Sequence, residues 1–202
     1  MHNIILYCSP VPLIVRSSSC VCTADDIIFT NNAHDSVAGD DPWDSIHRTS
    51  LPPASPSSEV APRHFGFPHC YTSKASESEA TANPALDSHA YDASQSLRSC
   101  QQYEAGTAIG SHTAPLGVTI QDATTGTLLI AERGAFGGTA GHYVSTVAAD
   151  LSGHRKLITG FIDVQSGVSW GRPVDVQMEP DGRGAFLVSD DKGNAVYRFA
   201  PV

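Results

Sequence analysis

Trp170-Gly171-Arg172-Pro173-Val174-Asp175-Val176-Gln177-Met178-Glu179-Pro180-Asp181-Gly182-Arg183-Gly184-Ala185-Phe186-Leu187-Val188-Ser189-Asp190-Asp191-Lys192-Gly193-Asn194-Ala195-Val196-Tyr197-Arg198-Phe199 decides the fold. It predicts three short antiparallel strands. Val174, Val176 and Met178 alternate with polar residues, the period of a half-buried strand. Pro180-Asp181-Gly182 supplies turn chemistry, because proline pre-sets φ and glycine accepts a positive one. Phe186-Leu187-Val188 is a continuous apolar run, the pattern of a central strand covered on both faces. Asp191 to Asn194 forms a second turn, and Val196 and Phe199 belong to the last strand.

The stretch occurs twice. Ala114-Pro115-Leu116-Gly117-Val118-Thr119-Ile120 lies 58 residues before Arg172-Pro173-Val174-Asp175-Val176-Gln177-Met178. At the same offset Gly126, Leu128, Leu129, Ile130, Ala131 and Glu132 match Gly184, Phe186, Leu187, Val188, Ser189 and Asp190. Gly141-His142-Tyr143-Val144 returns as Gly193-Asn194-Ala195-Val196, its spacing altered by six residues around Phe136-Gly137-Gly138. Ile27-Ile28-Phe29-Thr30-Asn31-Asn32 is a third, partial copy. Several strands repeating every ~40 to 60 residues is the signature of a β-propeller. The expected fold is therefore all-β, with residues 25–202 as an incomplete, about three-blade portion of a propeller and 1–24 as an irregular, unassigned segment. No convincing amphipathic helix is found.

Composition narrows the function. Twelve basic against 21 acidic residues give a formal net charge of −9. Phosphate contacts need clustered Lys and Arg, so no nucleic-acid partner is expected. No run of eighteen apolar residues exists, and no membrane partner is expected either. Ile4 to Val15 has about the length of a signal-peptide core, with Cys22-Thr23-Ala24 as a small-residue cleavage site. No Lys or Arg precedes it, however, and Pro10 and Pro12 interrupt it, so a cut strand from a longer chain is the plainer reading.

The five cysteines are Cys8, Cys20, Cys22, Cys70 and Cys100, with no spacing that suits zinc. Cys70 and Cys100 bracket a polar insertion, Tyr71 to Ser99, which cannot bury enough apolar area to hold itself in place. A disulfide closing that loop would contribute about 3 to 4 kcal/mol in the chain-entropy picture. It would imply a secreted, extracellular setting. Two unrelated thiols are the other reading. Residues 49–62 form a Pro/Ser linker of extended character.

Chemistry candidates are few. Arg133 to Gly141 is glycine-rich, but a strand rather than a helix follows it, so it lacks the helix N-terminus of a phosphate cradle. Asp40-Asp41 and Asp190-Asp191 offer oxygens to a hard cation, though capping of turns is the commoner use of such pairs. No metal site is assigned.

Five motifs, in order, carry a resemblance. They are Asp40-Asp41-Pro42-Trp43-Asp44, Phe65-Gly66-Phe67-Pro68-His69-Cys70, Ser111-His112-Thr113-Ala114-Pro115-Leu116-Gly117, Ala131-Glu132-Arg133-Gly134-Ala135-Phe136 and Trp170-Gly171-Arg172-Pro173-Val174-Asp175-Val176. From about Asp25 onward the chain resembles the carboxy-terminal half of the soluble quinoprotein glucose/sorbosone (pyranose) dehydrogenases. The resemblance implies a six-bladed propeller that binds pyrroloquinoline quinone and calcium and oxidises a carbohydrate, with two electrons passing to the quinone. By position it marks Arg172, His112, Trp170 and Arg133 as cofactor-binding. Arg172 is suited to a cofactor carboxylate through charge-assisted bonds.

The departures are specific. Gly134-Ala135-Phe136-Gly137-Gly138 replaces the family's G-S-W-N-R, and Asp44-Ser45-Ile46-His47 replaces D-E-L-N. Tyr143 stands where G-Y-[KR]-V has its cation. The catalytic base histidine would lie on blades preceding residue 25, so no catalytic residue is assigned. A non-catalytic propeller used as a binding module, and a non-functional gene fragment, are the alternative expectations.

Overall fold

The computed structural model describes residues 4–8, 11–15, 19–23, 25–33, 43–50, 63–65, 70–73, 76–82, 106–135 and 138–201. Strands are numbered β1 to β18 in chain order, and the described residues contain no helix. β1 (Ile4–Cys8) and β2 (Val11–Val15) pair as a hairpin, which β6 (Arg63–His64) joins in parallel. A larger sheet holds β3 (Cys20–Cys22), β4 (Asp26–Asn31), β5 (Trp43–Ser50), β7 (Cys70–Ser73) and β8 (Ser76–Ala82). There β9 (Thr107–Ser111) pairs with β5. β10 (Pro115–Asp122), β11 (Thr127–Glu132), β12 (Tyr143–Val147) and β13 (Arg155–Ile158) form a four-stranded antiparallel meander. β14 (Ile162–Asp163) and β15 (Val168–Ser169) make a short hairpin. β16 (Pro173–Met178), β17 (Phe186–Asp190) and β18 (Ala195–Phe199) make a three-stranded sheet.

The internal repeat survives down to the register. Val118 opposes Ile130 and Ile120 opposes Leu128, while Val176 opposes Val188 and Met178 opposes Phe186. Both first strands carry the same irregularity at the same place, between Pro115 and Gly117 and between Pro173 and Asp175. Such a bulge bends and twists a strand locally, so its recurrence gives both sheets the same shape at that edge. The third strands also correspond, with Val144 opposite Ala131 and Val196 opposite Ser189. The connecting loop is 133–142 in one copy and 191–194 in the other, which accounts for the altered spacing. Gly126 (φ 70°) and Gly184 (φ 78°) occupy equivalent left-handed positions ahead of β11 and β17. There a Cβ is disfavoured and glycine is the natural occupant.

Three sheets stack face to face through two apolar layers. Ile28, Ile46 and Ile109 of the β3–β9 sheet meet Val118, Leu128, Ile130 and Val147 of the meander. The meander's opposite face, Leu129, Ala131 and Val144, meets Val176, Phe186 and Val188. The period of two along each strand sends Leu128 and Ile130 one way and Leu129 and Ala131 the other. Both meander faces are therefore core, and Leu128, Leu129, Ile130 and Ala131 are all fully buried. Gly117 lets the first strands of neighbouring sheets approach closely, since a Cβ there would lie 2.6 Å from the Asp175 Cα.

Four expectations need correction. Phe186-Leu187-Val188 is covered on one face only: Leu187 is 37 % exposed, because no described residue packs where the third sheet covers its counterpart Leu129. The 49–62 linker starts later, since Thr49 and Ser50 end β5. Residues 1–24 are not without assignable structure, because β3 falls among them and pairs with β4. The 71–99 insertion is not structureless throughout, because β7 pairs with β8 from Cys70–Ala82 to Thr72–Ala80 and, after a register shift, at Ser73–Ser76. Backbone bonding along an existing sheet, through Trp43 and Thr72, compensates for the poor apolar content. Asp40, Asp41, His69 and Cys100 lie outside the described residues.

Candidate functional site

Three loops meet at one end of the stack: 112–114 ahead of β10, 133–135 after β11, and 170–172 ahead of β16. Arg133 N donates to the Ala114 carbonyl (3.0 Å) and Gly134 N to the Thr113 carbonyl (2.7 Å). The second copy repeats the first of these, with Asp191 N donating to the Arg172 carbonyl (3.3 Å). Between the loops lies a pocket of about 330 Å³, lined by Asn32, His112, Ala114, Arg133, Gly134, Ala135 and Arg172.

Three of the four residues marked by the sequence line this pocket: Arg172, Arg133 and His112. Trp170 does not. It is 53 % exposed and packs on Phe161 (5.1 Å between centroids) and Tyr197 (6.1 Å). Its N–H and that of Gly171 both donate to the Phe161 carbonyl, which ties this backbone to the β14 side.

Arg172 is 6 % exposed, so it is not a surface arginine capping a strand. Its Nη2 donates to the Gly134 carbonyl (2.8 Å), and its backbone N–H to Asp190 Oδ1 (2.9 Å). Burial depresses its pKa, repulsion from Arg133 depresses it further, and Asp191 opposes both. Arg133 donates through Nε to Asp191 Oδ2 (2.7 Å). Residues 133 and 191 are repeat equivalents, so one copy supplies the cation and the next its counter-ion. Two guanidiniums and no carboxylate line the pocket itself, and one of the guanidiniums is largely removed from water. A concave, desolvated site of that kind suits a carboxylate or another oxyanion.

The floor is braced by Asp44, which the sequence places in a motif without assigning it to the site. Asp44, buried on β5, accepts from Ala33 N (2.7 Å), Ala114 N (2.8 Å) and Thr113 Oγ1 (3.2 Å). Burial raises its pKa, and those hydrogen bonds hold it back. His112 (φ 55°) and Ala114 (φ 48°) both sit in the left-handed region. Two such non-glycine residues in one short loop persist only where surrounding bonds impose them. The motif around Asp44 is the one available signal in the sequence; its reach into the 112–114 loop is a property of the sheet stack.

The aspartate pair 190–191 is used for structure. Asp190 Oδ1 accepts from the backbone N–H of Arg172, Lys192 and Gly193, and Oδ2 from Tyr197 OH. Burial pushes its pKa up, but those donors outweigh it and the net shift is downward. Glu132 is the repeat equivalent, bonded to Ser145 Oγ and to His154 Nε2 (2.6 Å). Beside it Tyr143 is buried, with Lys156 Nζ 4.5 Å above its ring. Burial raises the Tyr143 pKa, and the charges of Glu132 and Asp44 add to the shift.

The chain matches no family model, no curated protein and no solved structure. Among the described residues no three His, Cys, Asp or Glu side chains gather as metal ligands. Asp190 and Asp191 are already engaged and no described carboxylate lines the pocket, so its lining does not suit calcium.

Proposed function

We propose that the chain is a β-propeller portion of the quinoprotein pyranose/sorbosone dehydrogenase type, and that its pocket holds the carboxylates of pyrroloquinoline quinone. One observation carries this reading. Arg133 and Arg172, named by separate motifs, converge with His112 on one pocket at the seam between two repeats. When bound, the quinone supplies the redox chemistry, taking two electrons from a sugar hydroxyl or aldehyde. The chain's own residues bind and orient. Arg172 offers a desolvated guanidinium held by the Gly134 carbonyl, and Arg133 offers a second held by Asp191. Asp44 fixes the loop that carries His112.

Calcium has no place in this pocket, whose lining offers no carboxylate among the described residues. A Cys70–Cys100 bridge and a secreted setting belong to the same proposal; Cys70 is buried at the start of β7 and is not a free thiol.

A second reading, binding without turnover, is favoured by Tyr143. The family's basic position is here a buried phenol under Lys156, among Glu132, Ser145 and His154 and away from the pocket lining.

Calorimetric titration with pyrroloquinoline quinone tests the shared core of both readings. Saturable binding is expected, weakened about 10- to 100-fold in Arg172→Gln, the range of a lost charge-assisted bond. Equal affinity of the two proteins, or none in either, would overturn the proposal. Dye reduction with aldoses then separates the readings: turnover supports the dehydrogenase, and binding without turnover supports the module.

A further inference from the structure

We infer that His142 is the positioning residue of the pocket: its ring ties Gly134 to the backbone at Gly171 and so fixes where the Arg172 guanidinium ends. The inference rests on reading the pocket as an anion site. His142 is 2 % exposed and lies behind the wall rather than in it. On one side Nδ1 donates to the Gly171 carbonyl (3.1 Å), one residue ahead of Arg172. On the other side the ring lies against Gly134, where a Cβ would stand 2.6 Å from Cδ2 and 2.7 Å from Nε2. Gly134 is the residue whose carbonyl receives Arg172 Nη2. One imidazole thus touches both the backbone that launches Arg172 and the residue that receives its tip.

The repeat shows that this ring is not needed for the turn. His142 has φ 60°, and its counterpart Asn194 has φ 48° with no imidazole. A left-handed residue closes the loop in either copy, and asparagine is well suited to that conformation. The imidazole also carries a cost, since Nε2 is buried without a hydrogen-bond partner among the described residues. A costly ring at a position where a simpler side chain would turn the backbone points to what the ring holds.

The test uses His142→Gly and His142→Asn, both compatible with the left-handed backbone. The readout is hydrogen exchange at the Arg172 side-chain Nε–H, assigned by its loss in Arg172→Gln. His142→Gly is expected to speed that exchange about tenfold while the Leu129 and Val144 amides keep their protection. His142→Asn, with a side-chain donor on the Gly171 side, is expected to recover part of the loss. Unchanged Arg172 exchange in His142→Gly overturns the inference. So does a parallel rise at Arg172 and Leu129, which marks a loosened fold only. Because this readout needs no ligand, failure of the wild-type protein to bind the quinone would sink the functional proposal and leave the positioning role of His142 standing or falling on the exchange rates alone.

Discussion

His47 shows how far one buried side chain sets solution behaviour. It is 5 % exposed, stacked on Phe29 (4.9 Å, planes within 1°), with Ser45 Oγ 3.0 Å from Nε2. Burial lowers its pKa from 6.5 to about 4. A histidine with a depressed folded pKa leaves stability intact above its unfolded pKa; the unfolded chain then takes the proton first as pH falls. Stability should therefore decline between about pH 6.5 and pH 4, by about 3 kcal/mol from this group. Denaturant melts across that window check it, and His47→Phe should flatten the slope. Arg172 makes the opposite lesson about legibility. Its motif flags it, but its burial follows from Gly134 and Asp190, far apart in sequence and joined only by the stack. Trp170, flagged by the same motif, turns toward Phe161 instead, which no local pattern signals.

Single elements carry a built-in control, because each meander residue has a counterpart. Leu129 and Leu187 occupy equivalent central-strand positions, 0 % and 37 % exposed. Leu129→Ala should cost about 3 kcal/mol and Leu187→Ala about 1 kcal/mol, since cavity formation applies only to the first. Chemical denaturation of the two variants decides it, and equal losses would contradict the one-sided packing of β17. Gly134→Ala should be worse than its loop position suggests. Gly134 has φ 80°, and an added Cβ would stand 2.6 Å from the Ala140 carbonyl oxygen. A loss of about 2 to 4 kcal/mol is expected, read from the melting temperature. Strand identity is legible in the sequence because period-two alternation in β10 and β16, short apolar runs in β11 and β17, and the turn residues between them all act locally. The matching bulges are not, because they depend on the partner strand. β7 and β8 escape a sequence reading because their Ser, Glu, Ala and Thr residues give no apolar signal, while backbone pairing supplies the order.

At the scale of the whole molecule, the 58-residue offset in the sequence becomes a repeated contact. The face bearing Val118, Leu128, Ile130 and Val147 packs on the preceding sheet, and its equivalents Val176, Phe186, Val188 and Phe199 pack on the meander. The repeat also puts residues 133 and 191, equivalents in different copies, into one ion pair beside the pocket. That much follows from sequence self-similarity and apolar patterning. Which sheet faces stay uncovered is not written in any one strand, since this depends on neighbours. Phe186→Ala, which removes a large part of the second apolar layer, should release β16–β18 before the meander. In hydrogen exchange, Val188 should lose protection ahead of Ile130. The stack itself is tested most directly by methyl contacts in isotope-edited nuclear Overhauser spectra. Two apolar layers on opposite meander faces predict that Leu129 sees Val176 and Val188 while Ile130 sees Ile28 and Ile46. Cross-peaks from Leu129 to Ile28, or none from either face of β11 to its neighbouring sheet, would contradict it.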